Sequence, residues 1–223
     1  MAKKIYVGVN NIAKNVSKIY VGVNNIAKKV TKGYIGVNGV AQKFYEAIPQ
    51  LNYIQSTGTQ YIKTFYKPKT DSIFKFKIML TGTAGDIDYE RIIWAGSGSS
   101  TSNNFQRANR TTSWNYFLGT SSKWSGTLNQ NEDYTFDIGS DHFTINGVTT
   151  SFSSYTYTSN YNMEIFHGND RYGKFKLYYF QIYEGTTLVK NFIPVLNGTT
   201  PCLLETVSNT YYNNAGYGTF LYG

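Results

Sequence analysis

Apolar and polar residues alternate along this chain in short runs with a period of two, not the longer period of a helix. Near the N-terminus Ile5, Val7 and Val9 fall at one parity and Tyr6 and Gly8 at the other, the pattern of a strand with two unlike faces. Farther on, Tyr61–Tyr66, Ser72–Leu80, Arg91–Ala95, Asn115–Gly119, Tyr134–Ile138, Phe143–Ile145, Asn162–Phe166 and Phe175–Tyr183 are predicted strands, broken by Gly, Asn, Ser and Thr. Asn146-Gly147 separates Phe143–Ile145 from Val148–Phe152, a hairpin signal. Short strands repeated over about 170 residues predict a two-sheet sandwich. Gly96–Asn104 (GSGSSTSNN) is too polar to pack and reads as a loop. Ser151–Asn160 is equally polar but carries Phe152, Tyr155 and Tyr157, which predicts partial ordering.

The first segment is an internal repeat with a period of 14. Tyr6, Tyr20 and Tyr34 recur in phase, as do Gly8, Gly22 and Gly36, Asn10, Asn24 and Asn38, and Ala13, Ala27 and Ala41. The centre of each unit is Asn-Asn, Asn-Asn and then Asn-Gly, dipeptides that tolerate the positive φ of a type I′ turn. Three successive β-hairpins, or a six-strand meander, are the two arrangements this pattern allows.

Composition supports an all-β chain: of 223 residues, 21 are Gly, 21 Tyr and 14 Phe, and only 15% are charged. A single cysteine, Cys202, excludes an intramolecular disulfide, and with only His142 and His167 beside it a His/Cys zinc site is not expected. No apolar run reaches the roughly 18 residues that would suggest a membrane-spanning helix. The basic N-terminus lacks the apolar core of a secretory signal. Charge is uneven. Residues 1–46 hold eight lysines and one acid, Glu46, whereas the remainder carries 13 basic and 12 acidic side chains. Two modules are therefore expected, 1–46 and 47–223. About 46 residues with no disulfide or metal bury little core, so the repeats are expected to dock onto a partner or oligomerise. Their lysines point to a negatively charged partner surface, with Lys14, Lys18, Lys28, Lys29, Lys32, Tyr6, Tyr20 and Tyr34 as the candidate docking residues. No aromatic–basic groove or DNA-binding motif is present, so nucleic acid is not the expected partner.

Two stretches carry a family resemblance. Tyr53–Ile62 (YIQSTGTQYI) resembles the first strands of concanavalin A-like, laminin-G-like jelly-roll domains. So does Lys174–Val195 (KFKLYYFQIYEGTTLVKNFIPV), followed by Tyr211–Phe220 (YYNNAGYGTF). The IYVGVN-type repeats resemble those at the N-termini of bacteriophage structural proteins. The resemblance implies a jelly roll carried by a phage virion protein, on the capsid or tail, present in several copies and contacting other virion proteins.

Three sets of residues are candidates for chemistry. Asp86, Asp88 and Glu90 are spaced by two, which on a strand puts three carboxyls on one face. They resemble the E-x-D-x-E motif of laminarinase-like hydrolases, but Asp86 stands where that motif has Glu. One methylene is a serious fault in a reaction sensitive to about 1 Å, and the preceding TGTAG reads as a turn, so a solvated acidic turn is the expected role and no catalytic residue is assigned. Trp114 and Trp124, with Asn109, Arg110 and Asn115, form a candidate sugar-contact set of aromatic faces and hydrogen-bonding groups; core packing is the competing role for both indoles. Asp137, Asp141 and Asp170 are the carboxylates a calcium ion would use, as in some laminin-G-like domains, although their spacing matches no closed oxygen-ligand loop. His142, His167 and Cys202 read as structural. The expected function is a non-enzymatic virion protein that docks by its repeats and displays a jelly roll toward host-surface or mucin glycans. A carbohydrate-binding adhesin and a laminarinase-like glycoside hydrolase are the alternatives.

Overall fold

The structure of the protein is a computed structural model that describes residues 5–9, 12–16, 19–23, 26–30, 32–37, 40–81, 94–96, 105–110, 113–118, 121–168 and 171–223. It is all-β, with no helix among the described residues. The chain divides into two compact units, Met1–Pro49 and Gln50–Gly223.

The first unit contains three hairpins. Ile5–Val9 pairs with Ile12–Val16, Tyr20–Val23 with Ile26–Lys29, and Lys32–Val37 with Val40–Glu46, all antiparallel. The 14-residue period is reproduced in the ladders: Tyr6 opposes Asn15, Tyr20 opposes Lys29 and Tyr34 opposes Lys43. The innermost pairs are Val9↔Ile12, Val23↔Ile26 and Val37↔Val40, which leave two residues of chain between the strands each time. The third hairpin adds a bulge at Gly33/Tyr34. Each hairpin is its own two-stranded sheet, so the described strands form separate hairpins and not the six-strand meander.

The second unit is a β-sandwich. Among the described residues one sheet has ten strands, and its central run is Val148–Ser151, His142–Ile145, Asp133–Ile138, Ser72–Leu80, Phe175–Glu184, Thr187–Asn197, Thr200–Glu205 and Thr210–Tyr212. Ile54–Gln55 joins it between Phe175–Glu184 and the C-terminal Leu221–Tyr222. The other sheet runs Ser121–Gly126, Ser113–Leu118, Phe105–Arg110, Trp94–Gly96, Glu164–Ile165 and Ile62–Lys63. Strand Ser72–Leu80 shows why the sheets face each other: its alternate residues Phe74, Phe76, Ile78 and Leu80 are buried, and those between are half-exposed. Phe76 stacks on Phe136 from one neighbouring strand at 4.7 Å and on Phe180 from the other at 5.0 Å. Burying each such ring contributes about 1.5–3 kcal/mol. From the opposite sheet Ile62, Tyr116 and Ile165 enter the same core, where Tyr116 meets Phe143 at 5.3 Å.

Several predicted strands change extent. Tyr61–Tyr66 contributes only Ile62–Lys63. Thr64 donates twice to the Met163 carbonyl, from its amide and its hydroxyl, and Met163 donates back to the Tyr66 carbonyl. Thr64 and Tyr66 are therefore both held inward, and Phe65 is turned out to solvent at φ 56°. Asn162–Phe166 shortens to Glu164–Ile165, because Phe166 takes φ 72° to drop its ring into the core against Phe175 at 4.3 Å. Phe105–Arg110 and Ser121–Gly126 are strands that alternation did not predict, being rich in Ser, Asn and Arg. In the polar stretch Ser151–Asn160, Tyr157 is buried and Phe152 and Tyr155 pack against the core.

Candidate functional site

In the repeats, Tyr20 and Tyr34 are 54% and 55% exposed and Lys32 is exposed on a strand opposite Glu46. Lys14 and Lys28 lie at equivalent ladder positions, opposite Val7 and Val21, while Tyr6 matches Tyr20, which Lys29 opposes. Lys18 lies outside the described residues. The repeat thus returns one tyrosine per hairpin at one register position, and the two tyrosines whose side chains are described both face solvent.

The candidate sugar-contact residues fall on three adjacent strands of the smaller sheet. Asn109 opposes Trp114, Arg110 opposes Ser113, and Trp114 and Asn115 oppose Gly126 and Ser125. Trp124 stacks on Phe143 at 4.6 Å with an 18° interplanar angle and packs on the main core. Gly126 sits beneath the same indole: a Cβ there would come within 2.4 Å of the ring. Next to it, Lys123 holds its ammonium 5.9 Å from the Phe152 centroid and 5.7 Å from that of Tyr155.

Asp86, Asp88 and Glu90 lie outside the described residues. Both histidines are set against carboxylates. His142 has Nδ1 2.6 Å from Asp141 Oδ1 and Nε2 3.4 Å from Asp137 Oδ1, while Asp137 Oδ2 accepts from Lys75 Nζ at 2.7 Å. His167 has Nδ1 on the Glu164 carboxylate and its ring between Tyr61 at 4.7 Å and Tyr172 at 4.6 Å. Orientation of an imidazole by a carboxylate is half of a nucleophilic triad. Among the described residues the partners of each ring are carboxylates and aromatic rings, which fix the side chains in place. The Cys202 thiol is fully buried, and burial pushes it up to about 11, the Asn197 backbone offsetting part of that. It is a packed residue, not an activated thiolate.

Calcium fares no better among the described side chains. Asp137 already holds Lys75, Asp141 is engaged with His142, and Asp170 lies outside the described residues. No group of three or more metal-ligating side chains gathers among the described residues. Asp137 and Asp141, the two described candidates, do not by themselves supply the six to eight oxygens a hard cation takes.

Two polar arrangements went unread in the sequence. The first is Glu205, fully buried, which accepts from the amides of Asn191, Val207 and Ser208 at 3.0, 2.8 and 2.9 Å and from the Ser208 hydroxyl. Burial alone would raise its carboxyl; the Ser208, Asn191 and Val207 hydrogen bonds together outweigh it and hold it below its ordinary value. The second is the outer face of the large sheet. A bulge between Leu177 and Tyr179 leaves both Tyr178 and Tyr179 half-exposed. Lys77 lies 4.6 Å from the Tyr178 centroid, Lys176 lies 4.5 Å from that of Tyr53, and Lys75 lies 5.6 Å from that of Tyr183. Tyr178 donates to Asp133 at 3.0 Å, and Asp133 also accepts from Lys77 at 2.6 Å, which holds that carboxyl low. The outward residues of Ser72–Leu80 were the available signal: Lys75 and Lys77 alternate with buried Phe and Ile. Which tyrosines they would cover depended on pairing across about 100 residues of chain.

No protein-family model matches this chain, and no curated protein matches it.

Proposed function

We propose that the protein is a non-enzymatic structural component of a bacteriophage particle, docked by residues 1–46 and displaying its β-sandwich as a capsid decoration, fibre or tail module. The observation that carries the reading is the equivalence of the three hairpins. Three copies of one unit share a register, carry most of the net charge, and expose Tyr20 and Tyr34. A two-stranded hairpin is marginal in water and has two open edges. A tandem array of them gains stability from binding a surface, and the lysines favour an acidic one. The resemblance of these repeats to those of phage structural proteins names the surface as other virion proteins, with several copies per particle.

A glycan-adhesive role for the sandwich is the second reading. It is favoured by the row of half-exposed tyrosines with Lys, Asp and Gln neighbours on the outer face of the large sheet, the equipment of a sugar-contact surface. Host-surface or mucin glycans are the corresponding ligands.

The test is incorporation into particles. A chain lacking residues 1–46 is expected to keep a folded sandwich and be missing from assembled virions. Replacing Lys14, Lys18, Lys28, Lys29 and Lys32 with Gln is expected to weaken docking and flatten its salt dependence. Full occupancy by the truncated chain would remove the repeats as the anchor. Hydrolysis of β-glucans by the purified chain, lost when Asp86, Asp88 and Glu90 become Asn, Asn and Gln, would overturn the non-enzymatic assignment.

A further inference from the structure

We infer that the edge strand Val148–Ser151 of the large sheet is a self-association site, pairing antiparallel with the same strand of a second copy of this chain. Among the described residues it is the outermost strand of the sheet, hydrogen-bonded on one side only, to His142–Ile145. All four residues are exposed, Val148 by 70%.

The hairpin geometry defines which backbone groups are free. Asn146 and Gly147 both have positive φ, 47° and 81°, the type I′ turn of a two-residue loop. Such a loop makes Ile145↔Val148 a hydrogen-bonded pair, and alternation then makes Thr144↔Thr149 non-bonded and Phe143↔Thr150 bonded. Two observations agree with this phase. Phe152 donates to the Asp141 carbonyl at 2.9 Å, the next bonded pair. The hydroxyls of Thr144 and Thr149 meet at 2.8 Å, as the closer side chains of a non-bonded pair allow. The N–H and C=O of Thr149 and Ser151 therefore point away from the sheet.

No charge or proline on this strand guards the edge, and no described residue covers it. Natural edges are blunted by charge, proline or cover, and the two outer strands of the smaller sheet carry Lys63 and Lys123. From Phe143 to Met163 the sequence has no Asp, Glu, Lys, Arg, His or Pro. An uncharged edge is matched by an identical uncharged edge, and the arrangement is two-fold symmetric. With Thr150 on the axis, Thr149 faces Ser151 of the second copy and Ser151 faces its Thr149, giving about four backbone hydrogen bonds. The large sheets of two copies become one continuous sheet. This contact is independent of docking by residues 1–46.

Residue-resolved amide exchange and sedimentation velocity on the full chain over a wide concentration range test it. The Thr149 and Ser151 amides are expected to exchange fast when dilute and to slow at least about ten-fold as dimer forms, while Thr150 stays protected throughout. Thr150→Lys and Thr150→Glu each set like charges opposite each other on the axis and are expected to leave the chain monomeric at this edge, whereas an equimolar mixture of the two re-forms the dimer. Restoration by mixing also shows that both variants are folded. A wild-type chain in which the Thr149 and Ser151 amides exchange at the same rate at every concentration overturns the inference, even if it self-associates through its repeats. So does association that is indifferent to either charge.

Discussion

Asn214 accepts the backbone N–H of Tyr61 through Oδ1 at 3.0 Å, across 153 residues of chain. The same oxygen accepts the Gly216 amide at 2.8 Å, and the amides of Ala215 and Tyr217 donate to the carbonyls of Tyr61 and Thr59. The opening segment YIQSTGTQYI and the closing segment YYNNAGYGTF, which carry the jelly-roll resemblance at opposite ends of the domain, thus share one hydrogen-bonded seam.

That seam leaves no room at Gly216, where a Cβ would sit 2.0 Å from the Thr59 carbonyl oxygen. Gly216→Ala is expected to destabilise the sandwich by about 1–3 kcal/mol through backbone displacement. Asn214→Ala, which strips the acceptor from two amides, is expected to cost a similar amount. Urea unfolding midpoints measure both, and wild-type midpoints would mean the seam is not closed in solution.

Glu205 makes acid stability predictable in sign. Its folded carboxyl lies below its ordinary value of 4.5, so the stabilisation is present above that value and is lost as pH falls through the folded one. Glu205→Ala, which leaves the amides of Asn191, Val207 and Ser208 without their acceptor, is expected to cost about 2–4 kcal/mol at neutral pH. The variant should also show a shallower loss of stability on acidification below 4.5 than the parent. Parallel acid profiles for the two would remove Glu205 from this role.

Tyr178 is predicted to titrate late. Burial, and then its hydrogen bond to Asp133, push its hydroxyl up to about 12 from an ordinary 10.0. Because the folded value is raised, the stabilisation is full below 10.0 and fades as pH climbs toward 12. Tyrosinate absorbance should lose one transition near 12 in Tyr178→Phe and keep the rest. A titration curve unchanged by the substitution would refute the assignment.

Trp124 is expected to act on stability before it acts on any ligand. Its stacking on Phe143 predicts a cost of about 2–4 kcal/mol for Trp124→Ala, and less for Trp124→Phe, which keeps a ring on Phe143. Thermal unfolding of the two variants reads this directly, and glycan binding should be compared only at temperatures where both are folded. Equal stability in all three proteins would free the indole for a ligand role.

Alternation, turn dipeptides and repeat phase are local properties, and the sequence alone determined what depends on them. These are the all-β class, the central strand Ser72–Leu80, the Asn146-Gly147 hairpin and the three units with equivalent Tyr6, Tyr20 and Tyr34. Separate hairpins and a meander have the same alternation, so only the described ladders distinguished them. Likewise Phe65 and Phe166 sit in runs that read as strand, yet long-range bonds to Met163 and packing on Phe175 turn them into positive φ. Trp124 was open between core and ligand until its strand met Phe143 from the other sheet. Glu205 carries no mark in the sequence, and three amides and a hydroxyl close around it only in the fold. In each case the deciding partner lies in another segment or in the closed geometry of the turn. Period-two patterning says which residues share a face; what that face meets, and which edge is left unpaired, is set by strand order, and that exists only in the folded chain.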